Sequence, residues 1–239
     1  MTTITYKIGL SDVGKGNKMS NKSIIKVLEN AGGVESEKVG YGFNEIPITH
    51  LSWVLLAWKV KVIKRPIYNE EIKITTWARE ANKVFTYRDF EIYNEKGEIC
   101  AIATSKWTFI NIQTLKLAPI SEDVINSYEF FNKSVFENGQ TEKLKEPTTL
   151  ISKINYKVLR SQIDVNNHMH NLCYLDLAYE ALPENEYYKD EANNIDIMYK
   201  KQIKLEDKII CNYTKENNQN IVTIKSDDEK TLHAIIRLY

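Results

Sequence analysis

The first half of the chain combines one helical pattern of apolar residues with several strand patterns. A short extended segment at residues 4–8 precedes apolar residues at helical spacing between residues 20 and 31. Ser20 is placed to cap the start of this helix, and Gly32-Gly33 is placed to end it. Strands are then predicted at residues 58–62, 72–78, 84–93 and 99–112.

The second half repeats this order of elements, although it shares little obvious sequence with the first. An extended segment at residues 155–160 precedes a polar cluster. The helix that follows places Leu172 and Leu175 on one side and stops at Pro183. Strands are then predicted at residues 194–204, 208–213, 220–226 and 231–239. A helix packed on one curved antiparallel sheet would bury each pattern, so the sequence predicts an α+β fold built twice.

A polar segment separates the two halves. It contains Pro147 and a charged tract at residues 142–146, which is typical of a connector. We therefore expect an N-terminal domain at residues 1–130, a linker at residues 131–150 and a C-terminal domain at residues 151–239.

The composition argues against nucleic-acid-binding, membrane-spanning and exported proteins. Of 239 residues, 43% are hydrophobic and 27% charged, and the 32 basic residues balance the 32 acidic ones. This balance gives no overall field for nucleic acid or anionic lipid, and no stretch approaches the roughly 18 apolar residues that a membrane span needs. The three cysteines lack a paired spacing, and the N-terminus lacks the pattern of an export signal. We expect a cytoplasmic protein with neither a nucleic-acid nor a membrane partner.

Three polar residues alternate just ahead of the second helix: Asp164, Asn166 and His168. They place a carboxylate, an amide and an imidazole beside the backbone N–H groups of a helix start, a combination that suits attack on an acyl carbonyl. The alternative interpretation is structural, because Asp and Asn also cap helices and form turns.

Two other chemistries are disfavoured in this region. His168 and His170 form an HxH pair without further ligands at a fitting spacing, so we predict no metal site and no cofactor. Cys173 with His168 is a formal nucleophile pair, yet a thiol packed in the helical stretch explains Cys173 equally well.

The polar cluster extends into a longer pattern, D-x-N-x-H-x-x-N-x-x-Y, matched by Asp164, Asn166, His168, Asn171 and Tyr174. Further short segments follow one another in the first half: Trp53-Val54-Leu55, Arg65-Pro66, Thr76-Trp77, Tyr87-Arg88-Asp89-Phe90 and Ala103-Thr104-Ser105-Lys106-Trp107. In these segments the chain resembles the acyl-acyl-carrier-protein (acyl-ACP) thioesterases, a family built from two tandem hotdog folds.

The resemblance implies a fold, a reaction and a partner. It implies an α+β chain of two tandem hotdog folds, with the acyl chain held by the N-terminal one. The implied reaction is hydrolysis of fatty acyl-ACP. His168 would activate water, Asn166 and backbone N–H groups near the second helix start would stabilise the oxyanion, and Asp164 would orient the others. The implied partner is acyl carrier protein, and both a monomer and a homodimer are allowed.

Two positions depart from the family pattern. After Tyr199-Lys200-Lys201 the family has a glutamate and often a cysteine, whereas this chain has Gln202 and then Ile203. Gln202 can hold water or a carbonyl but cannot act as a base at neutral pH. The other departure is His170, where the family commonly has asparagine. Gln202 stays a candidate site residue, and two alternatives remain: an acyl-coenzyme A thioesterase of the same fold, or a non-catalytic acyl-binding protein. A hydratase of this fold fits the motif less well.

Lysines recur near the same strand, at Lys200, Lys201 and Lys204. They would suit an acidic carrier protein. Lysines also guard solvated strand faces and sheet edges, which is the plainer interpretation of each residue taken singly.

Overall fold

The chain forms two compact units. The structure is a computed structural model that describes residues 1–239 apart from the side chain of Glu80. The first unit is Met1–Thr141 and the second is Glu142–Tyr239. Their junction falls inside the segment 131–150 that the sequence indicates as a linker.

The first unit is one antiparallel sheet with one long helix. Its elements are β1 (Thr2–Lys7), α1 (Asn21–Lys38), α2 (Ile46–Thr49), β2 (Leu51–Val62), β3 (Glu71–Ala81), β4 (Thr86–Tyr93), β5 (Ile99–Asn111), β6 (Lys116–Ala118) and α3 (Glu122–Ser127). The strand order is β1-β3-β4-β5-β2, and β6 pairs with the end of β5. Helix α1 packs against β1 and β3.

Helix α1 begins as predicted but ends later. Ser20 caps it by accepting the Ser23 N–H at 3.2 Å. The predicted end at Gly32-Gly33 is wrong, because the helix continues to Lys38. Gly32 leaves room for the side chain of Arg88, whose Cδ would lie 3.3 Å from a Cβ at that position. Arg88 in turn binds the buried Glu35 carboxylate one turn further along, so a tertiary ion pair carries the helix past its glycines.

The start of the predicted linker packs on the sheet of the first unit. Phe131 N–H donates to Ala78 O at 3.0 Å, and Trp77 Nε1–H donates to Lys133 O at 2.9 Å. The carboxylate of the fully buried Asp89 accepts the Val135 N–H at 2.9 Å. Backbone groups of this segment are thus satisfied by the sheet rather than by solvent.

The second unit repeats the architecture in fewer residues. Its elements are β7 (Ser152–Lys157), α4 (Asn171–Glu180), α5 (Glu184–Tyr187), β8 (Asn194–Tyr199), β9 (Lys208–Glu216), β10 (Gln219–Ser226) and β11 (Leu232–Leu238). The strand order is β7-β9-β10-β11-β8, and every pair is antiparallel. Helix α4 buries Leu175, Leu177 and Ala178 and packs on β10 and β11. The predicted α+β class is confirmed.

Within the described residues, every helix is too short or too polar to traverse a lipid bilayer.

The half-buried acid Glu29 on α1 places one carboxylate oxygen in the interior of the first unit. Its Oε1 atom is buried and lacks a hydrogen-bond partner among the described residues, and the same is true of Nε1 of Trp58 on β2. Burial raises the pKa of Glu29 to about 8, and the nearby Trp58 indole opposes this rise. Glu29 is therefore largely protonated in the folded chain at neutral pH.

We predict that Glu29→Gln stabilises the protein, increasingly so as pH rises. A raised folded-state pKa means that the stability contribution of Glu29 is complete at acid pH and is lost up to pH 8. Glutamine does not ionise, so the variant should gain on the order of 3 kcal/mol in free energy of unfolding at pH 7 and little at pH 4. Urea unfolding across this pH range measures it, with the exposed Glu137→Gln as control. A gain independent of pH would contradict the buried-acid interpretation.

Candidate active site

The three polar residues predicted as catalytic lie in one tight loop between β7 and α4. A bridge pairs Ile163 with Met169 at its base. Inside it, Asp164 N–H donates to His168 O at 2.8 Å. Asn167 sits at the tip with a φ of 60°, a left-handed conformation that asparagine tolerates better than most residues. The loop is therefore closed by its own backbone.

The Asp164 carboxylate organises this loop. Its Oδ1 accepts the N–H of Asn166 at 2.8 Å and the N–H of His168 at 3.2 Å. A carboxylate that bonds its own backbone two residues on is a common turn-forming device. Asp164 therefore fixes the backbone from which the other two candidate side chains project.

His168 is the half-buried member of the cluster, whereas Asn166 is exposed. Burial lowers the pKa of His168, the Lys204 ammonium lowers it further, and the Asp164 carboxylate opposes both. A lowered pKa keeps the imidazole neutral, and thus able to accept a proton, at neutral pH.

The segment after β8 pairs with this loop. The backbones of His168 and Lys204 form a bridge, and Met169 N–H donates to Ile203 O at 2.7 Å. Gln202 directly precedes this paired segment, and its side chain is exposed. The structure thus brings the Gln202 segment to the loop by backbone pairing; among the described residues, no side-chain hydrogen bond joins Gln202 to His168.

The strand predicted at residues 194–204 is wrong in its second half, because β8 ends at Tyr199. Beyond Tyr199, the backbone is hydrogen-bonded by the buried residue His233 on β11, through both its ring and its carbonyl. His233 Nδ1–H donates to Lys201 O at 3.0 Å, and Lys200 N–H donates to His233 O at 2.8 Å.

Tyr174 ties the Gln202 segment to helix α4, a role that the sequence did not reveal. Its hydroxyl accepts the Ile203 N–H at 3.1 Å. Its ring meets Tyr199 edge to face with centroids 5.3 Å apart, and the Tyr199 hydroxyl donates to Asn171 O at 3.3 Å. The last two positions of the eleven-residue pattern therefore support the geometry of the loop.

Helix α4 begins at Asn171, directly after the site loop. His170 is its N-cap: its Nδ1 accepts the Leu172 N–H at 3.2 Å, and its carbonyl accepts the Cys173 N–H at 2.8 Å. Two amides of the first turn, those of Leu172 and Cys173, are thus engaged by the cap. Asn171 is the first residue of the helix, and its N–H is the backbone donor that we consider for the oxyanion.

The first unit contains a copy of this loop, and the view that the two halves share little sequence needs correction. Residues recur in the same order and spacing, as in Tyr6, Lys7, Asn17, Met19 and Asn21 against Tyr156, Lys157, Asn167, Met169 and Asn171. The backbone agrees: Val13 pairs with Met19, Asn17 has a φ of 62°, and Met19 N–H donates to Pro66 O at 2.8 Å.

The copy lacks the candidate catalytic groups. Gly14, Gly16 and Lys18 occupy the positions of Asp164, Asn166 and His168. Arg65 precedes Pro66 as Gln202 precedes Ile203, and its guanidinium donates to Met19 O at 3.1 Å. The carboxylate, amide and imidazole therefore belong to the second unit alone.

The three cysteines differ in burial. Burial raises the pKa of Cys211 to about 12 and that of Cys100 to about 11, so both thiols are protonated at neutral pH. Cys173 is half-buried in the first turn of α4. Among the described residues, no group of three or more His, Cys, Asp or Glu is placed to hold a metal ion.

Family models match almost the whole chain. The model of the acyl-ACP thioesterase N-terminal domain matches residues 1–128, and that of the C-terminal domain matches residues 145–237. The oleoyl-acyl carrier protein thioesterase of Coriandrum sativum is 26% identical over 216 residues, which is 82% of this chain. The palmitoyl-acyl carrier protein thioesterase of Gossypium hirsutum is 26% identical over 98% of this chain. The chain spans 58% of the length of each of these relatives.

Solved structures show the same fold. An acyl-ACP thioesterase from Bacteroides thetaiotaomicron superimposes with a TM-score of 0.87 at 19% identity, over 99% of this chain and 96% of that one. The 12:0-ACP thioesterase from Umbellularia californica gives a TM-score of 0.86 at 17% identity, over 99% and 95%. The expected tandem hotdog fold is confirmed.

We predict that Lys204→Gln raises the pKa of His168. Removing a nearby ammonium stabilises the imidazolium, so its protonation should move to higher pH, while the backbone pairing of residue 204 is retained. An NMR titration of the His168 ring protons measures the shift, and Lys153→Gln on β7 is the matched control. An unchanged His168 titration would show that the Lys204 charge does not act on the ring.

Proposed function

This chain belongs to the acyl-ACP thioesterase family, and we propose that it hydrolyses the thioester of fatty acyl-acyl-carrier protein. The observation that carries the proposal is the Asp164-anchored loop, which presents an exposed amide and a half-buried, neutral imidazole from one turn. The products are a free fatty acid and the carrier thiol.

The proposed reaction begins with water attacking the thioester carbonyl. The neutral ring of His168 accepts the water proton, and Asn166 with the Asn171 N–H stabilises the oxyanion. When the carbon–sulfur bond breaks, the electron pair goes to sulfur, and the His168 imidazolium returns the proton to the thiolate. A thiolate leaves readily because thiols have a pKa near 8.5, so little acid assistance is needed.

The side chains of the two units suggest a different role for each unit in the proposed function. The second unit supplies the chemistry, since the loop of the first unit lacks the reacting groups. We assign the acyl chain to the first unit, whose interior is rich in aromatic residues: Trp53 stacks on Phe109 with centroids 3.6 Å apart and donates from Nε1 to the Tyr128 hydroxyl at 3.0 Å. The cytoplasmic location stays a prediction, and the names of the plant relatives place them in chloroplasts.

A second candidate is a non-catalytic acyl-binding protein, and Gln202 is the observation that favours it. With no carboxylate at this position, hydrolysis depends on His168 alone for proton transfer. Tight binding of acyl-ACP without any release of thiol would establish the binder. A coenzyme A thioesterase is separated from both by comparing the two thioesters at equal chain length.

We predict that Asn166→Ala and His168→Ala each lower kcat by about 10²–10³-fold, because each removes a group that acts on the reacting atoms. Thiol release from acyl-ACP measures the effect. Neither residue lies in the core, so circular dichroism should show folded variants. Lys18→Ala, at the position of His168 in the first-unit loop, is the matched control and should keep wild-type turnover. Wild-type rates in both site variants would refute the assignment.

We predict that Gln202→Glu changes kcat by less than about tenfold, because the neutral His168 already provides the base. The same thiol-release assay measures this, with pH profiles of both proteins recorded in parallel. A gain of 10²-fold or more would contradict His168 as a sufficient base and would identify the missing carboxylate as the limiting feature.

A further inference from the structure

A surface depression of about 560 Å³ lies in the second unit beside the site loop. Four lysines line it: Lys200, Lys201, Lys204 and Lys208, here named the lysine cluster. Gln202 and His233 line it as well. Because the backbone of Lys204 pairs with His168, the depression begins where the proposed chemistry occurs.

The four positive charges of the lysine cluster exceed the negative charge of the carboxylates that line the depression with them. Among the described residues that line the depression, two are carboxylates, Asp207 and Asp227, and Asp207 Oδ2 accepts the Lys204 N–H at 2.8 Å. Within the described side chains, no member of the cluster forms an ion pair. Lysines elsewhere do, as Lys64 binds Glu98 and Lys215 binds Glu186. Like charges held together without partners favour an anion between them.

Buried structure fixes the walls of the depression. His233 is only 4% exposed, and its backbone carbonyl and ring bond the Lys200 N–H and the Lys201 carbonyl, at 2.8 and 3.0 Å. On the opposite side, Asp227 N–H donates to Lys208 O at 3.0 Å. The lysines therefore project from tied backbone positions rather than from a free loop.

We propose that the lysine cluster binds the phosphate group of a phosphopantetheine thioester, an inference that rests on the proposed function. Carrier proteins and coenzyme A both hold acyl groups through this arm, so the phosphate is common to both substrates. An arm of this kind spans about as far as four extended residues, roughly 14 Å. The lining of the depression includes Lys204, which pairs with the site loop, and Ser226, Asp227 and Thr231 from the turn between β10 and β11.

The test compares four thioesters of one acyl chain: acyl-pantetheine, which lacks the phosphate, acyl-4′-phosphopantetheine, acyl-coenzyme A and acyl-ACP. We expect the wild-type enzyme to show a lower KM for every phosphorylated thioester than for acyl-pantetheine. Lys208→Gln and Lys201→Gln should each reduce the preference for acyl-phosphopantetheine over acyl-pantetheine by about fivefold, mainly through KM. Added salt should erode the same preference in the wild type.

Lys153→Gln is the matched control, since it removes a lysine of the second unit outside the depression. An effect on acyl-coenzyme A alone would place the nucleotide phosphates in the depression and overturn the proposal. Equal kcat/KM for acyl-pantetheine and acyl-phosphopantetheine in the wild type would overturn it too, while leaving the hydrolase intact. If no thioester is hydrolysed, the proposed function fails. In that case, calorimetry that compares the binding of free 4′-phosphopantetheine and pantetheine tests the phosphate site independently of catalysis. Equal affinities for the two compounds would refute the phosphate site.

Discussion

The candidate chemistry depends on one carboxylate that never needs to touch the substrate. Asp164 Oδ1 gathers the N–H groups of Asn166 and His168 into a single turn. Without that acceptor, two amides near the reacting centre would have to find water, and the loop would lose the bonds that set its shape. The spacing D-x-N-x-H follows from this geometry, because a turn closed on Asp164 brings the second and fourth residues after it to the same carboxylate oxygen.

The two units share the backbone of the loop and differ in its side chains. Both keep a bridged loop, a left-handed asparagine and a backbone bond from the loop methionine to the crossing segment. In the first unit, glycine and lysine replace the reacting groups. The buried polar side chains of the first unit form structural contacts instead, such as Arg88 with Glu35 and Asp89 with the Val135 amide. These contacts extend α1 and hold the following segment on the sheet, so the buried polar groups of the first unit stabilise its structure.

Local signals account for what the sequence predicted well, and long-range contacts account for its errors. The Ser20 cap and the alternating strands are set by neighbouring residues, so the sequence predicts them. The end of α1 depends on a pair 53 positions apart, Glu35 and Arg88, which no local pattern reveals. The early end of β8 likewise depends on His233 from another strand. The loop residues were recognisable from their motif, whereas the anchoring by Tyr174 required knowing that Ile203 crosses beside it.

Gln202 and the lysine cluster are best understood together. A glutamate among four lysines would form ion pairs and would cancel part of the positive field that those lysines create. Glutamine leaves that field intact, and it also removes a negative charge that would raise the pKa of a nearby imidazole. Lys204 and burial already lower the pKa of His168. An uncharged residue at position 202 therefore favours a neutral His168 and leaves the cationic surface beside it unpaired. Under the proposed function, the site would rely on His168 as its one base and on the lysine cluster to bind the phosphate of the substrate.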